Sequence, residues 1–173
     1  MAEALDPAIP DDVELLAQAV LEAACDRDLM LATAESCTGG LLASLLTDIP
    51  GKSHAFERGF VTYSNEAKHE LLGVAPEVLA ADGPVSEACA RAMAEGAIAC
   101  SRADLAVSIT GFAEAGPDQP AGLVHFACAC RGGPTAHRVE EFGAVGRAEV
   151  RLKALRVALT LFRDALSRVA AAA

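Results

Sequence analysis

The sequence is poor in basic residues. Lys and Arg total 14 against 24 Asp and Glu, which gives a formal net charge of −10 at pH 7. A protein that grips nucleic acid through its phosphate backbone needs an excess of positive charge, so this balance excludes a non-specific nucleic-acid binder. Small anionic ligands remain compatible with the composition, because a local site can be positive on an acidic protein.

Long apolar runs and metal-ligand patterns are also missing. No apolar run approaches the ~18 residues that cross a bilayer, and the N-terminus lacks the basic and apolar parts of a signal peptide. We therefore expect a cytoplasmic protein without membrane contact. The six cysteines form no Cys-x-x-Cys pair and the four histidines show no ligand spacing. These absences predict mostly reduced core cysteines, with neither a metal nor another cofactor.

Segments with helical and strand periodicity alternate along the chain. With 173 residues and 53% hydrophobic content, the chain is long enough to bury a core. No repeat or linker divides it, so we predict one α/β domain over residues 1–173, with a mixed sheet between helical layers. The expected strands are 29–34, 56–63, 105–109, 123–130 and 135–142.

Capping residues and apolar stripes mark the predicted helices. Asp11 or Asp12 can cap the first helix, Asn65 a short one and Ser86 a longer one. The last helix starts near Arg147 and carries a continuous apolar stripe, formed by Leu152, Leu155, Leu159, Phe162, Leu166 and Val169. We expect this stripe to pack on the sheet. A share in a subunit interface is the alternative, so a homo-oligomer is possible.

The stretch from Ala34 to Gly40 holds a hydroxyl, a thiol and two adjacent glycines. It lies between an apolar run and a periodic segment, which indicates a turn from a strand into a helix. Backbone N–H groups are unpaired at a helix start and the dipole is positive there, which suits an oxyanion or a phosphate. A structural role is the alternative: Ser36 or Thr38 caps the helix, and Gly39 and Gly40 permit the turn.

A serine nucleophile needs a neighbouring base. No histidine is expected near Ser36, but Tyr63 and Lys68 follow the next strand and can converge on the same edge of the sheet. A desolvated lysine can lose its proton and act as the base, although an ordinary solvated Lys68 is the alternative. Cys37 is the rival nucleophile, or else a small core residue. The chain has no dinucleotide-binding glycine motif and no P-loop.

Two blocks of residues resemble a known family. The segments 34–40 and 56–65, with Lys68 and residues 71–74, closely resemble the CinA C-terminal domain family, whose enzymatic members are nicotinamide mononucleotide amidases. The likeness continues through Thr110 and Gly111 into the helix from Arg147. It therefore covers nearly the whole chain and implies a stand-alone domain of this family.

The resemblance implies a metal-free amidase that converts nicotinamide mononucleotide to nicotinic acid mononucleotide and ammonia. In the family a serine, a tyrosine and a lysine are taken as catalytic, and they correspond to Ser36, Tyr63 and Lys68. Backbone N–H groups around residues 37–39 would hold the oxyanion. The expected partner is a small-molecule nucleotide, bound by residues of the turn, the third-strand loop and the last helix, namely Glu35, Cys37, Thr38, Gly39, Gly40, Thr110, Gly111 and Arg147.

The chain departs from the family in two places. The loop 112–120 carries two added acids, Glu114 and Asp118, where the family usually has glycines. Before the last helix, Arg147 is retained but the acid that commonly precedes it is lost. Acids near a phosphate would repel it, so substrate choice can differ. The alternatives are therefore an amidase for another small carboxamide and a non-catalytic nucleotide-binding paralogue.

Overall fold

A computed structural model describes residues 9–117 and 119–172. The strands are β1 (Leu31–Glu35), β2 (Phe56–Val61), β3 (Leu105–Gly111), β4 (Leu123–Cys130) and β5 (Thr135–Glu141). The helices are α1 (Asp11–Cys25), α2 (Leu41–Asp48), α3 (Asn65–Leu72), α4 (Pro76–Ala81), α5 (Glu87–Ala99) and α6 (Arg147–Ala172), with a 3₁₀ turn at Ser53–Ala55.

The five strands form one mixed sheet in the order β2-β1-β3-β4-β5. β1 pairs in parallel with β2 and β3, while β4 and β5 join through antiparallel pairing. The predicted α/β class is confirmed. Because β1, β2 and β3 run in the same direction, their carboxyl ends meet at one edge, and the loops that leave them lie side by side.

Helices cover both faces of the sheet, which confirms the predicted helical layers. On one face, α1, α2 and α6 pack on alternate strand residues that include Leu31, Val107 and Phe126. On the other face, α3 and α5 pack on the intervening small residues, including Ala32 and Ala106. The α6 stripe packs on β3, β4 and α1 as expected, through Leu155, Leu159, Phe162 and Leu166.

Two helix starts differ from the prediction. Neither Asp11 nor Asp12 caps α1, because both lie inside the first turn after Pro10. Ser64 rather than Asn65 caps α3: Ser64 is extended, and its hydroxyl accepts a hydrogen bond from the Ala67 N–H at 3.0 Å. The predicted cap of α5 is confirmed, because the Ser86 hydroxyl accepts from the Cys89 N–H.

A close helix contact fixes the position of α3. Gly96 on α5 faces the Leu72 carbonyl at the end of α3, and a Cβ added at Gly96 would lie 1.9 Å from that oxygen. Small residues on this face of α5 therefore allow the close approach, and the helix ends at the exposed Cys100. Since α3 carries Lys68, this contact sets where that lysine lies.

All six cysteines are free thiols, with Cys37, Cys89 and Cys128 buried. None of the helices in 9–117 and 119–172 is long and apolar enough to cross a bilayer. Within the same ranges, no group of three or more His, Cys, Asp or Glu side chains is arranged to hold a metal ion.

Candidate active site

The last residue of β1, Glu35, directs a buried carboxylate into the start of α2. One carboxylate oxygen accepts hydrogen bonds from the Thr38 hydroxyl at 2.7 Å and from the N–H groups of Gly40 and Leu42 at 3.1 Å each. The other accepts from the Ala43 N–H at 2.8 Å. Glu35 therefore caps α2 and places a negative charge at the positive end of its dipole.

This cap changes the expected role of the helix start. The first N–H groups of α2 already bind Glu35, so they are not available to a phosphate. Neither Ser36 nor Thr38 caps the helix, in contrast to the structural alternative considered from the sequence. Gly39 and Gly40 have positive φ angles of 61° and 93°, which side chains rarely adopt, and a Cβ at Gly40 would press on Val61 at 3.2 Å.

Two N–H groups of the turn lack a partner. Ser36 N–H donates to the Ile109 carbonyl at 2.9 Å, which ties the turn to β3, and Gly39 N–H donates back to the Ser36 carbonyl at 3.1 Å. The N–H groups of Cys37 and Thr38 donate to no other residue in the described part of the chain. They are the candidate donors for an oxyanion, and Gly39 is not.

Lys68 reaches the serine from α3. Its side chain is 1% exposed, and the Lys68 Nζ lies 3.0 Å from the Ser36 Oγ. The same nitrogen lies 2.8 Å from the Thr62 carbonyl and 3.3 Å from the Tyr63 carbonyl. β2 ends at Val61, earlier than the predicted residue 63, and the two carbonyls that follow are therefore free of the strand ladder.

The three partners of the Lys68 Nζ can be satisfied by an ammonium, which has three donors, or by a neutral amine. An –NH₂ group has two donors, which suit the two carbonyls, and one lone pair, which can accept the Ser36 O–H. No carboxylate among the described residues forms a salt bridge with Lys68, and burial lowers its pKa from the ordinary value. The surroundings therefore favour the form of the lysine that can take a proton from Ser36.

Cys37 is a poor rival nucleophile. Its side chain is 7% exposed, and burial raises the pKa of the thiol to about 11, with Glu35 adding a smaller increase. The thiolate is the reactive form of cysteine, and it is scarce at neutral pH in such a place. The Cys37 backbone N–H lowers the pKa of the thiol, but the effect of burial is larger.

Tyr63, predicted as part of the catalytic group, lies beside Lys68 but has an exposed side chain. Its side chain is 72% exposed, and its contact with Lys68 is made by the backbone carbonyl. The Tyr63 hydroxyl lies near the Arg147 guanidinium and contributes, after Glu114, to raising the pKa of Arg147. A catalytic role for this hydroxyl therefore stays a prediction.

A cavity of about 200 Å³ opens beside the serine turn, and its walls include Cys37, Tyr63, Phe112, Glu114 and Arg147. The loop after β3 forms one wall and the first residue of α6 another. Arg147 donates to a Glu114 carboxylate oxygen at 3.0 Å. Thus the arginine expected to bind phosphate already contacts an acid, while Asp118, the other added acid, lies outside the described residues.

Thr110 and Gly111 close the third side of the site. The Thr110 hydroxyl is buried and donates to the Pro84 carbonyl at 2.6 Å, so it holds the turn before α5. Gly111 lines the cavity, and a Cβ there would lie 2.7 Å from the Leu123 carbonyl. Thr110 thus makes a structural contact, and its contact with substrate stays a prediction.

Two residues near the turn were missed from the sequence. Arg151 donates to the Thr38 carbonyl at 2.6 Å, and its buried Nε has no hydrogen-bond partner among the described residues. It follows Arg147 by four residues on α6, a spacing that places both on one helix face and could have revealed it. Thr62 is the second: its carbonyl contacts the Lys68 amine, and its buried hydroxyl has no partner within the described residues.

A larger cleft of about 430 Å³ lies between α1 and α2. Its walls combine acids such as Asp11 and Glu14 with apolar side chains such as Leu15 and Leu45. No residue of the serine turn lines it, whereas Cys37, the neighbour of Ser36, lines the smaller cavity, which is therefore the candidate for chemistry.

A comparison with family models shows which protein family has this arrangement. Residues 13–166 match the model of the CinA C-terminal domain. The chain belongs to the CinA C-terminal domain family. The match includes every strand of the sheet and all the site residues described above, so the likeness seen in the sequence extends to the whole site.

Relatives and solved structures of this family agree. The nicotinamide-nucleotide amidohydrolase PncC of Escherichia coli K12 is 48% identical over 157 residues, which cover 87% of this chain and 93% of that protein. A CinA-like protein of Akkermansia muciniphila is 51% identical over 69% of this chain. The crystal structure of the competence/damage inducible protein CihA from Agrobacterium tumefaciens superposes with a TM-score of 0.88 at 45% identity, covering 92% of this chain and 98% of that one.

The relatives differ in length. The match covers only 30% of the Akkermansia protein, and the chain spans about a third or less of several other curated CinA relatives. It spans nearly all of the Escherichia coli protein and of the Agrobacterium structure. This CinA-type unit therefore occurs both as most of a protein and as one part of a longer one.

Proposed function

We propose that the protein hydrolyses the carboxamide of nicotinamide mononucleotide to nicotinic acid mononucleotide and ammonia. The observation that carries the proposal is the 3.0 Å separation between the buried Lys68 amine and the Ser36 hydroxyl. A neutral lysine beside a serine is a known way to activate that serine. The relative named nicotinamide-nucleotide amidohydrolase, at 48% identity, supports the substrate.

In the proposed first half-reaction, Ser36 Oγ attacks the carboxamide carbon and its proton passes to Lys68. The N–H groups of Cys37 and Thr38 stabilise the oxyanion, at roughly 3 kcal/mol for each donor. The carbon–nitrogen bond then breaks and Lys68 returns the proton to the departing ammonia. In the second half-reaction, Lys68 takes a proton from water, the resulting hydroxide cleaves the ester, and the proton returns to Ser36.

Other residues hold this arrangement in the proposal. Glu35 and Arg151 fix the turn through the Thr38 side chain and carbonyl. Tyr63 supplies a carbonyl to Lys68, and Arg147 attracts the substrate phosphate into the cavity. Residues 1–173 are proposed to work as one cytoplasmic domain, with a homo-oligomer possible through an exposed sheet edge.

Ammonia release from three carboxamides tests the function. The substrates are the mononucleotide, its riboside and free nicotinamide. We expect the mononucleotide to be hydrolysed, the S36A variant to lose about 10⁴-fold in kcat or more, and the C37A variant to stay within about threefold of the parent. Activity of the S36A variant equal to that of the parent would refute Ser36 as the nucleophile.

The same panel separates the alternatives. Release from the riboside but not from the mononucleotide would identify an amidase for another small carboxamide, which the Glu114 contact on Arg147 favours. No release from any of them would leave a non-catalytic nucleotide-binding protein. In that case the buried Lys68 would have no chemical use.

A further inference from the structure

An ion pair forms part of the wall of the cavity beside the serine turn. Glu114 lies on the loop after β3 and Arg147 begins α6, so the two charges come from different elements. The Arg147 Nη2 donates to the Glu114 Oε2 at 3.0 Å. Both side chains are about half exposed, at 48% for Arg147 and 60% for Glu114. The pair is therefore accessible to a ligand.

Glu114 and Arg147 are the charged residues of the cavity wall among those that the structure describes. Among the described residues that line it, Arg147 is the one cation and Glu114 the one carboxylate. Arg151 is nearby but donates to the Thr38 carbonyl behind the serine turn. A phosphate that enters the cavity meets an arginine whose charge is already balanced.

A phosphate and the Glu114 carboxylate seek the same partner. The planar carboxylate and the tetrahedral phosphate both accept hydrogen bonds from a guanidinium. Two anions bound to one arginine repel each other. A phosphomonoester must therefore either displace Glu114 from Arg147 or bind beside it against the repulsion, and both weaken its binding. A ligand without a phosphate meets no such repulsion.

We propose that Glu114 is a specificity-determining residue that competes with the substrate phosphate for Arg147 and so weakens selection for phosphorylated over unphosphorylated carboxamides. The proposal rests on the function proposed above for this cavity. It assigns the loop 112–117 a role in choosing the substrate, whereas Ser36 and Lys68 perform the same chemistry on either class. The E114Q variant separates the two, because it removes the charge and keeps the shape.

The expected effect is about fivefold. Exposed ion pairs change equilibrium constants by up to about fivefold, and direct repulsion of a phosphate adds to the effect at low salt. In the E114Q variant, KM for the mononucleotide should fall about fivefold with little change in kcat. The kcat/KM for the riboside should stay unchanged. The fivefold fall in KM for the mononucleotide should become smaller as the salt concentration is raised.

The E95Q variant is the matched control. Glu95 is exposed on α5 and lines no part of this cavity, so its loss removes the same net charge without touching Arg147. The E95Q variant should keep the parental preference. An unchanged substrate preference in E114Q, or an equal change in both variants, would overturn the proposal.

A binding measurement distinguishes this idea from the amidase proposal. Ribose 5-phosphate is titrated calorimetrically into the parent, E114Q and R147Q proteins, without turnover. We expect tighter binding to E114Q and weaker binding to R147Q. If no carboxamide is hydrolysed but E114Q still binds tighter, the amidase function fails and the role of Glu114 stands. If E114Q binds no tighter than the parent, or neither binds, the role of Glu114 is refuted.

Discussion

The lowered pKa of Lys68 should affect the pH dependence of both stability and catalysis. Burial lowers its pKa in the folded protein, where no carboxylate of the described residues pairs with it, while the unfolded chain keeps the ordinary value of 10.5. Between these two values the unfolded state binds more protons than the folded state. Lys68 should therefore contribute a rise in the free energy of unfolding with pH across that window.

The K68M variant isolates this contribution. Methionine fills a similar volume but does not titrate, and the cost of leaving the Thr62 and Tyr63 carbonyls without a donor does not depend on pH. The difference in free energy of unfolding, parent minus variant, should increase with a slope of up to about 1.4 kcal/mol per pH unit within the window. Burial also raises the pKa of Cys37 and Cys89 from 9.0 to about 11, so both thiols lower the free energy of unfolding as the pH rises above about 9. Parent and variant share this contribution, and it cancels in the difference between them.

Urea unfolding from pH 6 to pH 10 measures the slope, and kcat/KM over the same range measures catalysis. If neutral Lys68 is the base, kcat/KM should rise about tenfold per pH unit and level off at the pH where the stability slope begins. The K153M variant removes an exposed lysine of α6 and should reproduce the parental pH dependence of stability. A pH-independent stability difference between parent and K68M would refute the lowered pKa.

Two further predictions concern the residues that hold the site. In the E35Q variant a donor replaces one of the oxygens that accept four hydrogen bonds, so the free energy of unfolding should fall by about 2–4 kcal/mol in urea, with the E95Q control unchanged. The G96A variant must push α3 away, because its Cβ would lie 1.9 Å from the Leu72 carbonyl. It should lose about 2 kcal/mol of stability and much of kcat, since Lys68 moves from Ser36. The A99S variant, changed at an exposed position of α5, is the control and should behave like the parent. A parental kcat in G96A would contradict the prediction.

Local patterns in the chain predicted most of the fold. Alternating apolar segments located every strand to within a few residues, and the α6 stripe predicted its packing on the sheet. The errors are at element ends. Asn65 was predicted to cap α3, but Ser64 does so, because neighbouring residues of similar capping ability differ only in backbone conformation.

The site was predicted in part. The turn from Ala34 to Gly40 and the approach of Lys68 to Ser36 follow from parallel strands that end at one edge. The role of Glu35 as the cap of α2 and the contact of Arg151 with Thr38 did not follow. Both depend on where a long side chain points, and no periodicity records that direction.

By itself the sequence determined the elements, the family and the residues able to perform a nucleophilic reaction, because these depend on residue type and on spacing along the chain. Only the tertiary structure decided their chemical states. Lys68 is buried without a carboxylate partner among the described residues, burial raises the pKa of the Cys37 thiol to about 11, and Arg147 forms an ion pair with Glu114. Each of these states depends on burial and on charges from segments distant in sequence, which exist only once the chain has folded.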